Sequence, residues 1–183
     1  MRFPIIAAIA ALSLLPTAAL AQGGAKPNDA QIAHIAYTAG EIDIAAAKQA
    51  LAKSKNKEVR AFADNMVKDH TAVNKKALAL VKKLKVKPQD NPTSQALTKQ
   101  AAAKRAELAK LSCAAFDKAY VDNEVAYHKT VNGALETQLI PSASNAELKS
   151  TLVSVKPTFD EHLKHAEMLQ SQLEGGSGAG HKM

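Results

Sequence analysis

The chain reads as an all-α antiparallel bundle of about five helices, and three observations predict this. Long stretches lack Pro and Gly, are dominated by Ala, Leu, Lys and Glu, and show no run of period-two alternation. Apolar residues recur at spacings of three and four, which places them on one helix face. An eleven-residue phrase is also written twice. DNMVKDHTAVN (Asp64 to Asn74) returns as DNEVAYHKTVN (Asp122 to Asn132), 58 residues later and with six identical positions. That offset suits a duplicated helical hairpin. The first and second helices, and the third and fourth, are therefore expected to form two related hairpins, completed by a fifth helix.

Asn28 is placed to cap a first helix from about Asp29 to Lys53, with Ile32, Ile35, Ala39, Ile42 and Ala46 on its apolar stripe. The break Ser54-Lys55-Asn56 precedes a second helix, about Lys57 to Lys85. Its stripe is Val59, Phe62, Met66, His70, Val73, Ala77, Val81 and Leu84. Pro88 and Pro92 bound a loop, and a third helix follows from about Ser94 to Leu111. Ser112 then reads as the N-cap of a fourth helix, roughly Ala114 to Ile140, and Pro141 to Ser144 as the next turn. The fifth helix covers about Asn145 to Leu173, where Pro157 is expected to kink or interrupt it. The Gly-rich tail, 174–183, is expected to be disordered.

Arg2, an apolar run from Ile5 to Leu15 and the small residues ending Ala19-Leu20-Ala21 make residues 1–21 a secretory signal. Cleavage is expected after Ala21, leaving 22–28 as a short linker, 29–173 as the bundle, and a protein in the periplasm or secreted. The apolar run is short for a membrane span, no cysteine follows it to carry a lipid, and no other segment is long and apolar enough to span. The one cysteine, Cys113, makes no internal disulfide, so the fold must stand on packing. Net charge is +7, mostly from lysine. The run Lys82 to Lys87 sits where a helix C-terminus favours cations, and it could also attract anionic envelope components. Aromatics are only 4% of the chain, which leaves little for base stacking and argues against nucleic acid. No nucleophile elbow or phosphate-cradling glycine loop is present.

The stripes carry polar residues where apolar ones belong. His70 lies on the second helix's stripe, and the 58-residue offset puts Glu124 and His128 on the fourth's. On the fifth, Leu148, Leu152, Val155, Phe159, His162, Ala166, Leu169 and Leu173 recur at four and three, with His162 among them. Burying such groups unpaired costs several kcal/mol, so something must satisfy them. Private hydrogen bonds, to Asp69, Tyr127 or a backbone carbonyl, are one solution. A site for one transition-metal ion is the other, since imidazole and carboxylate suit iron, manganese, zinc or copper. Glu124 and His128 are four apart and His162 and His165 three apart, so each pair shares a face. Glu41 stands level with His70 across the first turn, and Glu124 with His162 across the last. The proposed set is His70, Glu124, His128 and His162, with Glu41, Asp69 and His165 as supports or further ligands. Glu-x-x-His is absent, so a carboxylate-rich di-iron site is poorly supported and a mononuclear, His-rich one fits better. Met66 and Met168 are possible soft ligands, although a Met on a helix stripe usually packs.

Asp29-Ala30, Ala39-Gly40-Glu41, Phe62 to Asn74, Leu111 to Val121, His128 and Lys156 to Ala166 together resemble an exported bacterial family, the domain of unknown function family 4142. The likeness covers about Asp29 to Leu173, and Met66 to His70 is its most specific part. It implies a ferritin-like helical bundle in the periplasm or envelope, with no agreed function. The second phrase departs from the family pattern by having Tyr127 before His128, where the first has Asp69 before His70. The rival to the metal reading is a structural or interaction bundle whose inward polar groups fix pairing.

Overall fold

The computed structural model describes residues 26–178, and every element in it is helical. The expected signal segment and cleavage site, most of the expected linker and the last five residues of the tail, His181 included, lie outside the described residues. The helices are α1 (Asp29–Lys53), α2 (Lys57–Lys83), α3 (Pro92–Ala109), α4 (Cys113–Ala134), α5 (Ile140–Ser142) and α6 (Ala146–Gly178). A π turn, Leu135–Leu139, joins α4 to α5 without a break, so the two act as one rod.

The helix ends are set by local chemistry. Asn28 caps α1 in a capping box with Gln31, each side chain accepting the other's backbone N–H, at 2.9 and 3.1 Å. Asn56 caps α2 by accepting from Glu58 and Val59. α3 starts at Pro92, two residues before the expected Ser94, because Asn91 is the cap and proline suits the first helical position. Ser112 does occupy the N-cap of α4 but makes no side-chain cap bond. Asp29 accepts the N–H groups of Ser144 and Asn145 at 2.8 and 3.0 Å, tying the start of α1 to the turn before α6. α6 runs through Pro157, where the sequence predicts a kink or break. Val153, whose carbonyl loses its N–H partner, is on the exposed face with Pro157, so water satisfies what the proline removes. The helix also continues past Leu173 to Gly178.

α1, α2, α6 and α4 form a ring of antiparallel neighbours. The heaviest packing is α1 on α2 and α4 on α6. α3, which the repeat pairs with α4, lies chiefly against α1 instead. Its sequence gives the reason, since an Ala- and Lys-rich helix with only Ser94, Leu97 and Leu108 buried has little to offer a core. The core has two apolar halves. The upper half, towards Lys53 and Lys57, holds Phe62, Met66, Phe116, Tyr120 and Leu169. The lower half, towards Asp29 and Ala146, holds Ile32, Leu97, Leu139, Leu152 and Phe159.

The repeated phrase does the same work twice. Its final asparagine, four residues after the histidine, clamps the neighbouring helix. Asn74 donates to Glu41 on α1 at 2.8 Å and reaches the Tyr37 carbonyl at 3.5 Å. Asn132 donates to the Phe159 carbonyl and to Asp160 on α6, at 3.1 and 3.2 Å. Gly40 makes room for the first clamp, because a Cβ there would lie 2.3 Å from Asn74 Oδ1. At the exposed, mid-helix Gly133 a Cβ would meet nothing within 4 Å. Gly133→Ala should therefore raise stability by about 0.5–1 kcal/mol in urea unfolding, as helix propensity dictates. Gly40→Ala should lower it, since a buried asparagine must give way. Equal stabilisation by both substitutions would show that Asn74 does not hold α1.

Candidate metal centre

Between the two apolar halves lies a polar belt at mid-bundle. Asp43 from α1, His70 from α2, Glu124 and His128 from α4, and His162 from α6 are all buried, none more than 5% exposed. The three imidazoles gather with ring centroids 5.3–5.9 Å apart. Asp43 Oδ2 stands 3.3 Å from His70 Nε2 and 3.4 Å from His128 Nε2. Two overlapping sets could hold a metal ion, His70 with His128 and His162, and Asp43 with Glu124 and His128. In each set the donor atoms lie within 4.8 Å of one another.

Hydrogen bonds fix two of the three rings. His128 Nδ1 is 3.0 Å from the Glu124 carbonyl, which can only accept, so Nδ1 carries the proton and Nε2 keeps a lone pair. His162 Nε2 is 3.0 Å from Asp69 Oδ2, so its proton is on Nε2 and the lone pair on Nδ1. Both of those remaining nitrogens are buried without a hydrogen-bond partner, as are both nitrogens of His70, both oxygens of Asp43, Glu124 Oε2 and the Tyr120 hydroxyl. His70 is further held by stacking on Phe159, centroids 5.0 Å apart.

Of the expected residues, His70, Glu124, His128 and His162 come together, and Asp69 supports His162 from the rim. Two do not join them. Glu41 is exposed and accepts from Asn74, because it lies two residues before Asp43 and so on another side of α1. His165 stands with its ring edge-on to Phe62, centroids 5.2 Å apart, in the upper core. Met66 is fully buried among apolar side chains and Met168 is half in solvent, so both leave the set. His34 bonds Ser94 at 2.8 Å, far from the belt in sequence and near the lower end. Asp43 is the residue that sequence reasoning missed. It stands four after Ala39 and four before Ala47, a core register, but the adjacent Ile42 offered an apolar residue for the same stripe.

The belt resists charge. Burial pushes the Asp43 carboxyl up to about 8, and burial together with Asp43 holds Glu124 well above the carboxylate range. Burial and the two neighbouring histidines lower His70 to about 3. Burial lowers His128 to about 4, against the opposing pull of its bond to the Glu124 carbonyl. His162 is lowered by burial, with Asp69 opposing. The belt histidines are neutral when folded, and they add a rising slope only while the unfolded chain still binds protons, which fades above about pH 7.5. A carboxyl raised from 3.8 to about 8 gives stability that is full below pH 3.8 and is lost as pH rises through 8. The Asp43 contribution to the stability of the metal-free protein should therefore fall by up to about 1.4 kcal/mol per pH unit between pH 6.5 and 8. Asp43→Asn should flatten that slope in urea unfolding, and an unchanged slope would place Asp43 in an ionised state.

No curated protein and no solved structure matches this chain. A family model does match, over residues 14–169, under the description "Domain of unknown function (DUF4142)". With most of its length inside that match, the chain belongs to the DUF4142 family.

Proposed function

We propose that this chain is an exported protein that holds one divalent transition-metal ion at mid-bundle, for metal holding or for protection of the cell envelope. The observation that carries the reading is the set of buried, unpartnered donor atoms converging from four helices. The spacing supports it. Two donors bonded to one ion at about 2.0–2.1 Å stand roughly 3.3–3.4 Å apart at a tetrahedral angle. Asp43 Oδ2 meets His70 Nε2 and His128 Nε2 at 3.3 and 3.4 Å, which is long for hydrogen bonds and right for neighbouring ligands. His70, His128, His162 and Asp43 are the holding set, and Glu124 is a further donor. Asp69 and the Glu124 carbonyl orient His162 and His128, as partners of metal-bound imidazoles commonly do. Export rests on residues 1–21, and sequencing the N-terminus of the mature protein should find Gln22 first.

Thermal unfolding of the metal-stripped mature protein tests the site, with zinc, manganese, iron and copper added in turn and magnesium as control. At a hundred times the dissociation constant, a native-state ligand adds about 2.7 kcal/mol, or about 5–10 °C in Tm for a chain of this size. His70→Ala and His162→Ala should each abolish that rise. No rise with any ion, or a rise that survives both substitutions, would leave the histidines as packing.

Proton release gives a second check. At pH 7 an Asp43 carboxyl with its pKa near 8 is protonated, and a metal takes the carboxylate, so the proton leaves. Calorimetry in two buffers of different ionisation enthalpy should find about one proton released per ion from Asp43, with a further one where Glu124 also binds, and affinity should rise with pH up to about 8. Histidines lowered to about 3 and 4 are already neutral and release none. Zero release at pH 7 would remove Asp43 from the ligand set.

A further inference from the structure

The two halves of the core are packed differently. Before His70 the apolar stripe of α2, Val59, Phe62 and Met66, is fully buried. Beyond it Val73, Ala77, Leu80 and Val81 are only half-buried, although they continue the same face. They line an apolar cavity of about 70 Å³ that opens below the polar belt. Its inner end is formed by His70 and His128, and its outer end by Val81, Leu97 and Leu148. On α2 the lining runs from His70 to Val81, roughly 16 Å at 1.5 Å per residue. A water needs about 10–15 Å³ and two or more polar partners, and these walls offer few. An apolar space lined over that span at so small a volume suits a linear chain better than a ring.

Charge marks the outer end. Lys82, Lys83, Lys85 and Lys87 follow directly after Val81 and are all exposed. Lys83 is paired with Glu147 on α6 at 2.7 Å, while Lys82, Lys85 and Lys87 have no acidic partner among the described residues. An apolar cavity whose α2 wall leads directly into three cations without an acidic partner is complementary to a molecule with an alkyl tail and one negative head.

We propose that the lower half of the bundle binds a free long-chain carboxylate, its alkyl tail in the cavity with the terminal methyl towards His70 and His128, and its carboxylate among Lys82, Lys85 and Lys87. The inference is independent of the metal reading, because it uses the cavity walls and the lysine run rather than the donor atoms.

Calorimetry on the metal-free mature protein, and on His162→Ala, tests it with laurate as the probe. One laurate should bind per chain in both, whether or not any metal does. Shortening the tail to octanoate should weaken binding about four-fold per methylene. Dodecanol and dodecyltrimethylammonium, with the same tail and a neutral or cationic head, should bind at least several-fold more weakly. Ala36→Leu and Ala77→Leu fill the cavity from two helices and should each weaken laurate at least ten-fold while the metal-induced rise in Tm remains. The exposed triple variant Lys82→Glu/Lys85→Glu/Lys87→Glu should erase the preference for laurate over dodecanol, and it tests the proposal even if a filled variant fails to fold. Laurate binding unchanged in the folded, filled variants would overturn the tail site. Equal binding of all three head groups would overturn the lysine site. Capture of phosphatidylglycerol vesicles without binding of free laurate would replace the free acid with a membrane lipid and overturn the proposal as stated.

Discussion

A carboxyl group 1% exposed, set against two imidazoles at mid-bundle, imposes the main constraint on this fold. Four helices must each bring a titratable side chain to one level, and the apolar stripes above and below must hold them there. An unsatisfied buried polar atom costs about 1–3 kcal/mol, and the belt contains several. A domain of this size has a total stability of only about 5–15 kcal/mol. Packing alone therefore gains nothing from such an arrangement, and the ion proposed at that level would offset a cost that no side chain among the described residues does.

The hydrogen bonds around the belt fit this account. His128 and His162 each use one nitrogen on a protein acceptor, the Glu124 carbonyl in one case and Asp69 in the other, and each keeps the second nitrogen buried and unprotonated. The repeat then supplies the frame. His70 and His128 face the axis from equivalent positions, while Asn74 and Asn132, one turn further on, grip α1 and α6. The duplicated phrase is thus an inward donor followed by an outward clamp, and it pairs α2 with α1 and α4 with α6. α3 carries no copy of it and lies outside the ring.

The belt also separates two regimes of packing. Above it aromatic and small residues alternate, with Phe62, Phe116 and Tyr120 against Ala47, Ala50 and Ala63, and the space is filled. Below it α2 keeps its apolar stripe and meets Leu148, Leu152, Val155 and Phe159 of α6, but Val73, Ala77, Leu80 and Val81 stay half-buried beside the cavity. The Lys82 to Lys87 run, which the helix dipole explains locally, follows directly on Val81, the last α2 residue to line that cavity. The two halves thus differ in how fully they are packed, and the cavity that the tail proposal uses lies in the lower one.

By itself the sequence determined the helices, most of their ends, the repeat and all four residues that gather round Asp43 on shared stripes. These are local properties: capping atoms, three-and-four spacing and the position of proline are all read within one or two turns. It predicted a kink or interruption at Pro157, and α6 runs on through the proline, because whether a freed carbonyl meets water depends on which face of α6 is outside. It placed Glu41 in the site and passed over Asp43, because both are acidic and two residues apart, and only the rotation of α1 against α2 and α4 decides which one points at the histidines. His165 was as well spaced as His162, and contact with Phe62 rather than spacing put it in the upper core. Side-chain convergence, the partners that fix each imidazole and the hollow below them are all set by how helices distant in sequence turn towards one another, and that turning belongs to the tertiary structure.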